Sequence, residues 1–89
     1  MVAFALSQRG EAGQAEVVLD GIPRENEAGR PMLDIVHDTV ENTIRSIPPQ
    51  RRKDMEVVRE AVRRGVRSAV ENAWGKRPIT KILITRAPR

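Results

Sequence analysis

The residues able to do acid–base or metal chemistry are few, and they gather in one short stretch. The single histidine, His37, stands among Asp34, Asp38 and Glu41 at helical spacing. One helix face offers too narrow a set of directions to enclose Zn²⁺ or Mn²⁺. No cysteine or second histidine exists to complete a ligand set. The cluster reads as a solvated acidic face with a histidine at its border. Ser7, Ser46 and Ser68 have no base and orienter readable beside them. Gly10, Gly13, Gly21, Gly29, Gly65 and Gly75 match neither a phosphate-binding loop nor a dinucleotide fingerprint. This chain alone is therefore expected to be neither an enzyme nor the holder of a cofactor.

The cations offer a second kind of chemistry. Arg51, Arg52 and Lys53 are contiguous, and Arg59, Arg63 and Arg67 recur every four residues. Such a row can track phosphates, and its signature is a steep loss of affinity with salt. Glu56, Glu60 and Glu71 lie within pairing reach, Glu60 with Arg64 and Arg67 with Glu71, so a charge-laced solvated face accounts for the row as well. Phe4 and Trp74 are the only aromatic residues, too few for a base-stacking platform. The six cations stand as candidate RNA contacts of an auxiliary, backbone-reading kind. Trp74 is expected to fold under the turn that follows it; its alternative role is as an interface anchor.

Stepping outward, five elements must position these groups. Residues 2–7 alternate large Val2, Phe4 and Leu6 with small Ala3 and Ala5, the pattern of a half-buried strand. A glycine-containing loop over 8–13 leads to a second strand at 16–20, ended by Gly21 and Pro23. Pro31 opens a helix whose stripe is Met32, Leu33, Val36, Val40, Ile44 and Ile47, stopped by Pro48-Pro49. Asp54 is a suitable N-cap for a second helix over 54–74, and Gly75 a suitable residue to end it. That helix carries a wide stripe of small residues, among them Ala61, Gly65 and Ala69. Gly65 costs up to ~1 kcal/mol against Ala inside a helix, so close approach of another backbone is expected there. A last strand at 79–86 is apolar on both parities, with Ile82 and Ile84 on one and Ile79 and Leu83 on the other.

The order is β-β-α-α-β: an α+β, two-layer sandwich with two helices on one face of a three-stranded sheet. Where the third strand joins the sheet is open. Eighty-nine residues make one small α+β domain, 1–89. No apolar run approaches the ~18 residues of a membrane span, and without cysteines or a leader a cytoplasmic setting is the default. The net charge of +4 hides an asymmetry. Residues 1–44 carry three Arg against eight Asp and Glu, a net of −5; residues 45–89 carry thirteen Lys and Arg against four acids, a net of +9. Halves of opposite sign fit either an acidic partner or contacts between the halves.

Residues 51–86 resemble the C-terminal domain of bacterial ribonuclease J, of the metallo-β-lactamase/β-CASP ribonucleases, in its α-proteobacterial form. The resemblance rests on Arg51-Arg52-Lys53-Asp54, on Val58-Arg59-Glu60-Ala61-Val62-Arg63-Arg64, and on the run from Ala69 to Pro78. The turn Trp74-Gly75-Lys76-Arg77-Pro78 between a basic helix and a closing strand is its most specific part. The first fifty residues agree in layout alone. The resemblance implies a fragment of a larger zinc-dependent enzyme, both endonuclease and 5′-to-3′ exonuclease on RNA. Its metal ligands lie in a His-x-His-x-Asp-His motif absent from this sequence, so it supplies no catalytic or metal residue here. It implies instead support for oligomer assembly and for the activity of the whole enzyme. The expected partners are a second copy, other domains of the parent ribonuclease and, as the alternative, RNA. The expected docking surface is the sheet face carrying Val2, Phe4 and Leu6 (or Ala3 and Ala5) with Ile79 and Leu83 (or Ile82 and Ile84).

Overall fold

A computed structural model describes residues 1–7, 11–13, 15–19, 21–76 and 80–86, with Arg86 described by its backbone alone. Strand β1, Val2–Leu6, places Val2, Phe4 and Leu6 in the core and turns Ala3 and Ala5 outward. Strand β2, Glu16–Val17, pairs antiparallel with β1, Val2 facing Val17 and Ala3 facing Glu16. Helices α1, Met32–Ser46, and α2, Met55–Trp74, pack on one another and on the sheet. Strand β3, Ile82–Arg86, runs parallel to β1 in full register from Val2–Ile82 to Leu6–Arg86. The sheet order is β2-β1-β3. Both helices cover the same face, which is the two-layer α+β sandwich expected, and β3 joins beside β1.

β2 is shorter than the expected 16–20. Leu6 bridges Ala12, yet Ala3 pairs with Glu16, so one extra residue is taken up between them. Such an offset breaks the ladder on the N-terminal side of β2; on its other side the regular pairing ends at Val17. Pairing with β1 is prolonged by the Met1 amino group, which donates to Val18 O at 2.6 Å, and by Val18 N–H to Met1 O at 2.8 Å. Asp20 and Ile79, assigned to strands by pattern, lie outside the described residues.

The helices begin and end as their sequences dictate. Asp54 Oδ1 accepts from the backbone N–H of Glu56 at 2.9 Å and of Val57 at 3.4 Å, satisfying two donors the first turn leaves open. Gly75 adopts φ +85° and returns its N–H to Glu71 O at 2.7 Å, a left-handed ending that glycine accepts without strain. In α1 the buried set is Met32, Ile35, Val36, Val40 and Ile44, with Leu33 45% exposed. Here the expected stripe is corrected: Ile35 is in and Leu33 is out. α1 has two neighbours, the sheet and α2, so its buried arc is wider than one stripe, while Leu33 borders a cleft with Val17, Val18 and Leu19.

Val58, Val62, Val66 and Val70 form the buried row of α2, flanked by half-buried Ala61, Ala69 and Ala73. A Cβ added to Gly65 would stand 2.7 Å from Thr43 Oγ1 and 3.4 Å from Thr39 Cγ2. The close approach is real, but threonine side chains of α1 make it rather than backbone. Among the described residues, no helix is long and apolar enough to cross a membrane.

Candidate functional site

The basic row of α2 is largely neutralised within the chain. Glu56 pairs with Arg59. Glu60 accepts two bonds from Arg63, Nε to Oε2 at 3.0 Å and Nη2 to Oε1 at 2.6 Å, and a third from Arg64 Nε at 2.9 Å. The paired geometry with Arg63 is the strong form of this contact. Hydrogen bonds first from Arg63 and then from Arg64 hold the Glu60 carboxyl down at about 2, below its usual value of 4.5, and Glu60 in turn raises Arg63. Among the described residues no carboxylate pairs with Arg67.

The connection between the helices is different. Arg51 and Lys53 are exposed, and no ion pair engages them among the described residues. Arg52 donates Nε to Ile47 O at 2.8 Å, which fastens the connection to the end of α1. The cations grouped by sequence thus divide: Arg59 and Arg63 face glutamates, whereas Arg51 and Lys53 face solvent.

Trp74 is half-buried against the core cluster, and Lys76 Nζ stands 5.3 Å from its ring centroid, a cation–π contact. Trp74 therefore packs against the core, as expected of it, while Gly75 and Lys76 are exposed; Arg77 and Pro78 lie outside the described residues.

The sheet face needs a correction. Val2, Phe4 and Leu6 are buried beneath the helices, as are Ile82 and Ile84, so none of them belongs to a docking surface. On β1 the larger side chains take the face that the helices cover, and the alanines are left outside. The open face carries Ala3, Ala5, Leu83 and Thr85 with Glu16 at its margin, and Leu83 is 52% exposed. Strand alternation contains this signal, because the large-residue parity of β1 is the one with area to bury.

His37 is half-buried and borders a shallow cleft of about 550 Å³ with Glu11, Glu41, Arg45 and Arg52. Among the described residues no three His, Cys, Asp or Glu gather to hold a metal ion.

The structure is a small α+β domain, a mixed three-stranded sheet under two helices with a tryptophan-glycine turn after the basic helix. Residues 1–87 match the ribonuclease J C-terminal domain, and the chain belongs to that family. It is 40% identical over 74 residues to ribonuclease J of Sinorhizobium meliloti (strain Sm2011 / Rm2011 / 2011), an alignment covering 83% of this chain and 13% of that protein. The chain thus spans a small part of the relative that it matches. No solved structure matches it.

Proposed function

We propose that this domain serves as a non-catalytic C-terminal unit of an RNA-processing and RNA-degrading ribonuclease, supporting assembly of the enzyme through the open face of its sheet. The zinc-dependent hydrolysis of RNA belongs to another part of that enzyme. The observation that carries the reading is Leu83, a large apolar side chain 52% exposed on a strand beside Ala3 and Ala5. Small residues around one large one make a flat surface on which a second sheet or copy can seat. Light scattering tests it: mass should rise above the monomer value with concentration, and Leu83→Glu should restore the monomer. A strict monomer at several hundred micromolar, taken as an order of magnitude for weak association, contradicts it.

A second reading has its own support in the exposed Arg51 and Lys53, which no ion pair engages among the described residues. These cations would contact RNA phosphates, with Arg59, Arg63 and Arg67 contributing less because glutamates already engage the first two. RNA retention at low salt should fall for Arg51→Glu with Lys53→Glu. Unchanged retention removes this reading.

A further inference from the structure

The two edges of the sheet are unequal. At one edge β2 has two residues, a length that templates little. At the other, β3 runs for five residues, and its interior sequence Ile82-Leu83-Ile84-Thr85 holds no charge, proline or glycine to blunt it. Val2 N–H donates to Lys81 O at 2.9 Å. Alternate residues of a parallel ladder turn their N–H and C=O to the same neighbour. Lys81, Leu83 and Thr85 therefore serve β1, while Ile82 and Ile84 turn their backbone groups outward from the sheet. Among the described residues β1 is the only strand paired with β3.

The helix above this edge presents cations to it. α1 packs over β2 and α2 over β3. Gly65 faces α1 through Thr39 and Thr43. At 100° per residue, Arg59, Arg63 and Arg67 lie about 120°, 160° and 200° around α2 from Gly65. They therefore sit on the flank away from α1, above the open edge of β3. Trp74, about 180° from Gly65 by the same count, closes that flank. Exposed Lys81 directly precedes the strand, so positive charge lies above the edge and at its start.

We propose that the channel between the β3 edge and the arginine flank of α2 takes an extended acidic segment of a protein partner as a fourth strand. Main-chain groups of the segment would bond Ile82 and Ile84, and its carboxylates would meet Arg67, Arg63 and Lys81. This is strand addition with a charged lid. Charge complementarity selects the occupant: a second copy would bring its own Lys81 and arginine flank against those of the first, and like charges brought together are unfavourable.

The test uses the 89-residue chain and an acetylated nine-residue peptide alternating Glu and Val. Binding is read by Trp74 fluorescence and by hydrogen exchange at the Ile82 and Ile84 amides. The peptide should bind and slow both amides. N-methylation of every second peptide nitrogen, or Arg63→Glu with Arg67→Glu in the protein, should each weaken binding at least about tenfold, and a Lys/Val peptide should not bind. Absence of binding at about 1 mM overturns the proposal, as does affinity indifferent to N-methylation. Protection of the two amides that grows with protein concentration in the absence of peptide also overturns it, because the edge then belongs to a second copy.

Discussion

The two flanks of α2 are built on different principles. Toward α1 the helix presents Ala61, Gly65 and Ala69, and threonines of the neighbour close to contact distance. On the far side it presents Arg59, Arg63 and Arg67, two of them held by Glu56 and Glu60. The first flank gains from exclusion of water and dense packing. The second gains little, since exposed ion pairs exchange one well-hydrated arrangement for another. A row of charge is conspicuous in a sequence, yet the glycine beside it fixes where the helix can lie.

The comparison can be broken most forcefully at the seam. Gly65→Val places two methyl groups where a single Cβ already meets Thr43 Oγ1 at 2.7 Å. Urea unfolding should show a loss of about 1–3 kcal/mol, the usual cost of overpacking. A loss below 0.5 kcal/mol, within the ordinary range of surface substitutions, would mean that the seam is loose.

Asp54→Ala removes the cap common to both flanks and should cost about 1 kcal/mol, measured in the same way. Because the cap precedes the divergence of the flanks, its effect should add to that of Gly65→Val; strong coupling would show that the helix start and the seam are one unit. Gly65→Ala sharpens the account further. The gain in helix propensity, up to about 1 kcal/mol, is opposed by the Thr43 contact. Alone, the substitution should change stability little; in a Thr43→Ala background the gain should appear. Equal effects in the two backgrounds would remove Thr43 from the explanation.

The smallest effect belongs to the charged flank. Glu60 titrates near 2 in the folded chain against 4.5 ordinarily, so its contribution is present above about pH 4.5 and is lost as pH falls toward 2. Thermal unfolding should place Glu60→Gln slightly below wild type at pH 7, with the gap closing on acidification and narrowing with salt. A gap that widens toward pH 2 would reverse the sign and refute the pairing.

Much of this fold was legible because local chemistry and global packing agree. Asp54 and Gly75 bracket α2 where a cap and a left-handed ending are needed, and β1 shows its inner face by side-chain size. The position of β3 was not legible. An apolar run records burial but not which neighbour supplies it, and a parallel partner 80 residues away leaves no local trace. β2 is shorter than its pattern because Val18 and Leu19 continue the apolar run beyond Val17, where the regular pairing with β1 ends. Leu33 misled for a related reason: a wheel ranks direction around a helix, whereas burial also depends on what lies beside each turn. Of the candidate site, the Glu60–Arg64 pair followed from spacing, whereas among the described residues the spacing of Arg67 and Glu71 yields no such pair. Of the sheet face, Leu83 and the alternative Ala3 and Ala5 point outward as the pattern allows, whereas Val2, Phe4 and Leu6 do not, because the parity of a strand, read without side-chain size, does not say which face the helices cover.

The central claim is that α2 is first a packing element and second a charged surface. It is tested most directly by comparing urea midpoints of two variants with wild type. One is Gly65→Val; the other replaces Glu56, Arg59, Glu60, Arg63 and Arg67 together by glutamine. The account predicts a clear drop for Gly65→Val and a midpoint close to wild type for the neutralised helix. The opposite ranking would contradict it.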